Sequence, residues 1–524
     1  MSDRAPAPTA AAGRESPIAA FLRRLLLVLL IGGGLIYAGF TRLNIGAYAA
    51  GADSSGYLNA AKLLKLGHID VPQRQLPGQL NDQDHSWLYV PLGFEPVGSD
   101  RMTESYPIGL PFFLAATKVL VGWLETANWT IWAHALAGLA LLFWLARRCG
   151  LPAGWAALAV LLMGMSPLYL QYSLQLMSDV PATVWTIAAI GCALLGAESL
   201  AWAVAAGVLT GVAVLVRPSN ALIVAPAMLA LGFQPRRWLA YALAGVPAAI
   251  VFLVYNRIAH GNLVSGGYGT VGEMFKFSYV GASLANYAVW LPVILTPLGV
   301  LALAVPFHIR RDRRVTFVLL AWMLAYAVFY AFYSCTHETW WYLRFLLPAL
   351  PAAWIAALLV ARDAFDWLRV ARFVPPGSLR AWGLGLAAVA AIFAYDLRWN
   401  RQLATLTASV GERIYPDSVA WTRTQVPANA VVVAMQMSGS LYFYSDFVTL
   451  RWDSFGAAHF ARAAATAAQA GRPLYALLQP WERRRVADEK RLSGLWTRLG
   501  VVGDVELWRY DGHADEPLTV RETR

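Results

Sequence analysis

Residues 25–40 read LLLVLLIGGGLIYAGF, and Arg23-Arg24 stands directly before them. The run is longer than the apolar core of a signal peptide, about 7–15 residues. Ala47-Tyr48-Ala49 resembles a cleavage site but lies well beyond the end of the run. The stretch is therefore read as an uncleaved first membrane span. Apolar runs of spanning or near-spanning length recur at 128–146, 152–168, 180–196, 200–216, 220–234, 238–255, 288–306, 315–333, 343–361 and 381–397. With the first they make about eleven spans.

Composition agrees with this reading. Of 524 residues, 58% are hydrophobic and 14% charged, against about 25% charged in soluble domains. Mean hydropathy is +0.49. That excludes a soluble multidomain enzyme, whose surface needs more charge, and a disordered chain, which is polar and poor in aromatics. The three cysteines, Cys149, Cys192 and Cys335, cannot build a disulfide framework, and their spacing matches no zinc site. The net charge of +11 reads as membrane topology. No basic stripe with interleaved aromatics lies on a soluble segment, so no nucleic-acid partner is expected.

The positive-inside rule sets the orientation. With the N-terminus inside, Arg147-Arg148, the turn at Glu198, Arg236-Arg237, the Arg310–Arg314 cluster and the segment 362–380 all face the cytoplasm. Residues 107–124 are left over, and counting them as a span would put the arginine clusters outside. They are read as an amphipathic or re-entrant segment, with Pro107, Gly109 and Pro111 making an irregular start.

The expected organisation is a disordered N-terminus at 1–20, a transmembrane domain at 21–397 with a first external loop at 44–127, and an external domain at 398–524. In that last domain, Ala430–Met435, Phe447–Trp452, Leu474–Leu478 and Val505–Tyr510 read as strands. Ala457–Ala470 and Glu482–Leu499 read as helices. The fold class is a polytopic α-helical membrane protein, N-terminus in and C-terminus out, with a small α/β domain on the outer face.

Chemistry-bearing residues collect in the outer segments. Asp53, in Ala52-Asp53-Ser54-Ser55-Gly56-Tyr57, opens a helix just outside the first span. It reads either as a helix N-cap or as a base that deprotonates an acceptor hydroxyl at the membrane edge. Glu104, before Tyr106-Pro107, and Asp179, in Met177-Ser178-Asp179-Val180-Pro181, are further outer-face acids. Carboxylates on one face suit a divalent cation (Mg, Mn or Zn) or shared acid–base work. Arg217, in Arg217-Pro218-Ser219-Asn220, and Arg344, in Trp341-Tyr342-Leu343-Arg344-Phe345, are charges at span ends on the side where positive charge is disfavoured. A guanidinium suits phosphate oxygens; the bland reading of Arg217 is a side chain snorkelling to the interface. His337 and Glu338 stand just before Arg344, and His337 also reads as an ordinary interfacial histidine. Trp87, Trp340 and Trp341 read as belt residues or as platforms for sugar rings.

Taken in order, these residues resemble the GT-C superfamily of membrane glycosyltransferases, in its protein-mannosyltransferase-like and aminoarabinose-transferase-like bacterial branch. The likeness rests on Asp53-Ser54-Ser55-Gly56-Tyr57 with Ala60-Ala61 and Gly67, and on Tyr106-Pro107-Ile108-Gly109-Leu110-Pro111. It rests also on Ser166-Pro167 through Asp179, and on Arg217-Pro218-Ser219-Asn220 with Arg344-Phe345-Leu346-Leu347-Pro348. It covers residues 20 to about 350. Ile108 departs from the family's second proline, and no lysine stands beside Glu104.

The resemblance implies transfer of a sugar from a polyprenyl-phosphate donor, with inversion, to a glycolipid, polysaccharide or protein acceptor. The reaction would take place on the extracytoplasmic face of a bacterial inner membrane. Asp53 would be the general base, and Arg344 and then Arg217 the donor-phosphate ligands. Glu104, Asp179, Tyr57, Tyr106, His337, Glu338 and Asn220 would bind donor or acceptor, with Asp179 and Glu104 the pair for any metal. The resemblance fixes no cofactor and leaves dependence on a divalent cation (Mg, Mn or Zn) open. The rival classes are a secondary transporter, which calls for internal repeats and polar groups at the bilayer midplane, and a non-catalytic subunit of glycan assembly. No repeat of the Asp53 motif occurs in the second half of the chain.

Overall fold

The structure is a computed structural model that describes residues 17–78, 86–264, 267, 271–370 and 379–522. The expected disordered stretch 1–20 lies outside the described residues up to position 16, and the inner segment 362–380 does so at 371–378. Each apolar run read from the sequence lies mostly in helix, α or 3-10. Among the described residues, Glu125–Arg148, Asp179–Gly196, Pro235–His260, Phe277–Ile294, Arg313–Ala331 and Trp340–Trp367 are long and apolar enough to cross a membrane. Ala153–Met165 and Pro167–Ser173 add a further span if taken as one, bent by 65°. Leu200–Val216, Pro218–Leu231 and Pro297–Arg310 are shorter, and Pro17–Asn44 and Leu379–Gln402 carry the first and last runs. The chain is a multi-pass membrane protein. Its helix Pro235–His260 still exposes Leu239, Leu243, Ile250, Val254 and Ile258, as a helix facing lipid does.

One boundary differs from expectation, and the segment 107–124 does not. The run 288–306 is not one span. Pro297 starts a new 3-10 segment, and Thr296 before it has φ 60°, so the helix ending at Ile294 stops there. The segment 107–124 holds the helix Gly109–Val121. At 1.5 Å per residue that is about 20 Å, short of the roughly 30 Å hydrocarbon core.

The helical core is close-packed around Trp322, Tyr326, Trp354 and Tyr169. Leu200–Val216 meets Pro235–His260 through Gly207 and Gly211, four residues apart. A Cβ on Gly207 would stand 2.1 Å from the Tyr241 carbonyl oxygen, and one on Gly211 2.5 Å from the Ala248 Cβ. Small residues at this spacing let membrane helices approach closely.

Outside the core, the first loop carries a small antiparallel sheet in the order β1 (Asp70–Pro72), β3 (Arg101–Glu104), β2 (Phe94–Val97). The C-terminal domain is a six-stranded mixed sheet: β4 (Val431–Val433), β5 (Val448–Leu450), β6 (Leu474–Leu478), β7 (Leu495–Val502), β8 (Val505–Gly512) and β9 (Thr519–Glu522). Its order is β5-β4-β6-β8-β7-β9. Strands β4 and β6 are apolar at every position because both sheet faces are covered. Val431 and Val433 pack with Phe460 and Ala463 of helix Ala457–Gln469, while Val432 packs with Val419 and Leu441 on the other side.

The expected helix 482–499 is corrected. It spans only Pro480–Asp488, and 495–502 is strand β7, hairpinned to β8 through Gly503 at φ 62°.

This domain docks on the helix Gly51–Leu66, which carries Asp53. Lys62 Nζ donates to the Phe443 carbonyl at 2.8 Å, and Ala49 N–H donates to the Tyr444 hydroxyl at 3.0 Å. Gly439 lies so close that a Cβ there would stand 2.1 Å from Ser55 Oγ.

Candidate active site

Asp53 is the third residue of helix Gly51–Leu66, whose N-cap is Ala50 with no side-chain cap bond. The carboxylate therefore does not cap its helix. It reaches across to two donors. The Tyr106 hydroxyl donates to Oδ1 at 2.6 Å, and Arg344 Nη2 donates to Oδ2 at 2.8 Å. Burial alone would raise the Asp53 carboxyl, but the Arg344 charge and the Tyr106 hydrogen bond outweigh it and hold the group below its ordinary value. The side chain keeps 27% of its surface accessible, so a substrate hydroxyl can reach it.

Glycines set this geometry. A Cβ on Gly56, one turn after Asp53, would meet the Tyr106 ring at 2.3 Å. A Cβ on Gly109 would meet the Val216 backbone nitrogen at 2.4 Å. The two close approaches bring the Asp53 helix, the Tyr106 loop and the end of the Arg217 helix to one point. Tyr57 adds its ring against Tyr106, centroids 4.7 Å apart, and donates its hydroxyl to Ser178 Oγ at 2.9 Å.

Asp179 lies next to this group and is 1% exposed. Arg217 Nη1 donates to its Oδ1 at 2.7 Å. Its Oδ2 stands 4.0 Å from Arg344 Nη1 and accepts no hydrogen bond. The guanidinium groups of Arg217 and Arg344 both lie over the Phe345 ring at 5.2 Å. The cluster thus alternates Asp53, Arg344, Asp179 and Arg217, so the charges balance. Arg344 Nε is buried without a hydrogen-bond partner. An arginine with an unfilled donor beside a held carboxylate is suited to an incoming anion.

Of the residues expected from the sequence, Asp53, Tyr57, Tyr106, Asp179, Arg217 and Arg344 come together. The others do not. Asn220 is fully buried and bonds the Ala213 and Ala182 carbonyls and the Tyr326 hydroxyl. It pins the turn after Arg217 and has its amide engaged on both sides. His337 stacks on Tyr279, centroids 5.4 Å apart, and Glu338 is exposed.

Glu104 ends strand β3, paired with Phe94. It is 2% exposed with Oε1 unpartnered, and burial pushes its carboxyl well up. No hydrogen bond or ion pair joins it to Asp179. The two carboxylates expected as a metal pair are thus set in separate surroundings. Asp179 is already shared by two arginines, and among the described residues no three His, Cys, Asp or Glu converge as ligands. The donor set does not fit a divalent cation.

Sequence reasoning missed Phe345, Ser178 and Glu412. Glu412 comes from the start of the C-terminal domain. Its Oε1 accepts from Gln175 Nε2 at 3.3 Å, and burial and then the Asp53 charge push its carboxyl up to about 7. No local pattern marks it, because its partners lie far away in the chain.

No protein-family model matches the chain, and no curated protein matches it by sequence. Solved structures do match by shape. ArnT from Cupriavidus metallidurans bound to undecaprenyl phosphate superposes with a TM-score of 0.58 at 15% identity, over 94% of this chain and 99% of that one. The apo state of the same protein gives 0.56 at 14% identity, over 93% and 98%. At these identities the likeness is one of fold. The chain shares the fold of that protein over nearly its whole length.

Proposed function

We propose that the protein is an inverting glycosyltransferase that moves a sugar from a polyprenyl-phosphate donor to an acceptor hydroxyl. The site faces the extracytoplasmic side of a bacterial inner membrane, as the loop charges imply, and the product belongs to the cell envelope. The observation that carries this reading is Asp53 held between Tyr106 and Arg344. A carboxylate fixed by two donors stays ionised and oriented, as a base must. The ArnT that shares this fold was solved with undecaprenyl phosphate, which supports a polyprenyl-phosphate donor.

In this mechanism Asp53 takes the proton of the acceptor hydroxyl. The freed oxygen attacks the anomeric carbon from the face opposite the phosphate. The carbon–oxygen bond to phosphate breaks, and its electron pair leaves on the phosphate. Arg344 stabilises the growing charge, with Arg217 behind it. The proton then passes from Asp53 to solvent. A phosphate leaving group needs no strong acid.

The test is transfer from a panel of polyprenyl-phosphate sugars by purified wild type and Asp53→Asn. Turnover by wild type and its loss in a folded Asp53→Asn protein are expected. Equal turnover in both would overturn the assignment of the base.

A further inference from the structure

Trp87 stands beside the C-terminal domain, 40% exposed, with the Arg451 guanidinium 5.5 Å from its ring centre. Arg451 is itself fixed. Its Nε donates to Asp453 Oδ1 at 3.0 Å, and its Nη2 pairs with the other carboxylate oxygen. Its backbone N–H donates to the Leu88 carbonyl at 2.8 Å. Ser454 and Phe455 follow in the chain. Arg491 closes the far side, with Nη1 donating to the Phe455 carbonyl at 3.0 Å and Nε 2.9 Å from Glu489. These side chains line a cavity of about 530 Å³ at the junction of the first external loop and the C-terminal domain.

The chemistry of the lining is specific. An exposed indole offers a flat apolar face. The Arg451–Asp453 pair offers rigid donors and acceptors beside it, and Ser454 a hydroxyl. Arg451 is held by Asp453, and Arg491 by Glu489, which Arg485 also engages, so both arginines are fixed by acids and anion controls separate a sugar from a bare phosphate. An aromatic face bordered by fixed polar groups matches a sugar ring, which has an apolar C–H face and a hydroxyl rim.

The position adds the rest. The backbone runs from Trp87 to Gly93, and Gly93 packs on Gly56: its Cβ position lies 2.6 Å from the Gly56 Cα and 3.0 Å from the Ala52 carbonyl. Six residues reach at most about 20 Å, so the cavity opens within that order of distance from Asp53.

We infer that this cavity is a saccharide subsite that holds the distal sugars of an oligosaccharide-bearing acceptor whose reacting hydroxyl lies at Asp53. The acceptor role rests on the glycosyltransferase reading; saccharide binding does not, and is measured separately.

The experiment is saturation-transfer NMR on the full-length protein in detergent, with neutral gluco-, manno- and chito-oligosaccharides of increasing length. Inorganic phosphate and a hexose phosphate are the anion controls. Wild type and Asp53→Asn bind at least one neutral oligosaccharide alike, more tightly as length grows. Trp87→Ala weakens it about tenfold or more, and Trp87→Phe retains most of it. Asp453→Asn is the second variant, also weakened, should Trp87→Ala fold poorly. Absence of saccharide binding at millimolar concentration would overturn the inference. So would equal binding by wild type and both variants, or phosphate competing as well as sugar. Saccharide binding that persists while Asp53→Asn transfers sugar normally would sink the catalytic reading and leave the subsite standing.

Discussion

Arg344 Nη2 donates to Asp53 Oδ2 at 2.8 Å across 291 positions of sequence. The pair links the first helix outside the membrane to the start of the span Trp340–Trp367. It also sets the state of the base, because the arginine charge offsets the effect of burial on the carboxyl. Replacing Arg344 with Gln removes that offset. The acid limb of kcat/KM then moves to higher pH, and kcat falls about 10²–10³-fold as the phosphate loses its counter-charge. A pH–rate profile of wild type and variant checks both. An unmoved acid limb would show that Arg344 does not control Asp53.

Asp53→Asn keeps the shape of the side chain but cannot take a proton. Transfer falls about 10²–10⁴-fold, while thermal stability in detergent changes little. Donor binding persists, since the arginines remain. Loss of donor binding in the variant would mean that Asp53 positions the lipid phosphate rather than the acceptor.

Asp179 holds Arg217 at 2.7 Å in a 1%-exposed position. Asp179→Asn leaves buried guanidinium charge without its partner, which costs about 3–5 kcal/mol. Both the melting temperature and transfer drop. Added magnesium, manganese or zinc does not restore activity, because the residue pairs with arginines and not with a metal ion. Rescue by any of these ions would contradict that account.

Glu412 gives a pH dependence of stability with a definite sign. Its folded carboxyl sits at about 7, against about 4.3 in an unfolded chain. Between those values the folded protein keeps a proton that the unfolded chain has lost. Stability therefore declines as pH rises through that window and stays lower above it. Glu412→Gln removes the decline. Wild type and variant melt alike near pH 4, and the variant melts higher at pH 8. The same difference at both pH values would rule out titration of Glu412 as its source.

Gly109→Ala tests the packing that assembles the site. Its Cβ would stand 2.4 Å from the Val216 nitrogen, a backbone atom that cannot swing aside. Overpacking of this kind costs about 1–3 kcal/mol. It also pushes the Tyr106 loop away from the Arg217 helix, so transfer falls along with the melting temperature. A stable Gly109→Ala protein with unchanged turnover would show that this contact is dispensable.

Apolar runs were legible because hydrophobicity over about 20 residues is a local property. The break at Thr296 was hidden inside such a run, although Pro297 marked it. The α/β domain was legible where strands were buried on both faces, as in Leu474–Leu478. It was misread at 495–502, where Gly494 and Gly503 were the overlooked turn signals. In the site, Asp53, Arg217 and Arg344 stood out because a charge at a membrane edge needs a reason. Which of them touch was not legible, since the site's contacts join segments 38 to 291 residues apart. His337 and Glu338 were drawn in by nearness in sequence to Arg344, yet the chain directs them elsewhere.

The docking of Gly439 and Tyr444 on the Asp53 helix has a consequence for biosynthesis. Asp53 is synthesised well before Gly439 and Tyr444, the residues that brace its helix. A nascent chain carries its reactive carboxylate long before that support arrives. On the proposed function, the site is thus completed only when residues 398–524 have folded and closed on the Asp53 helix, so an incomplete chain is held inactive.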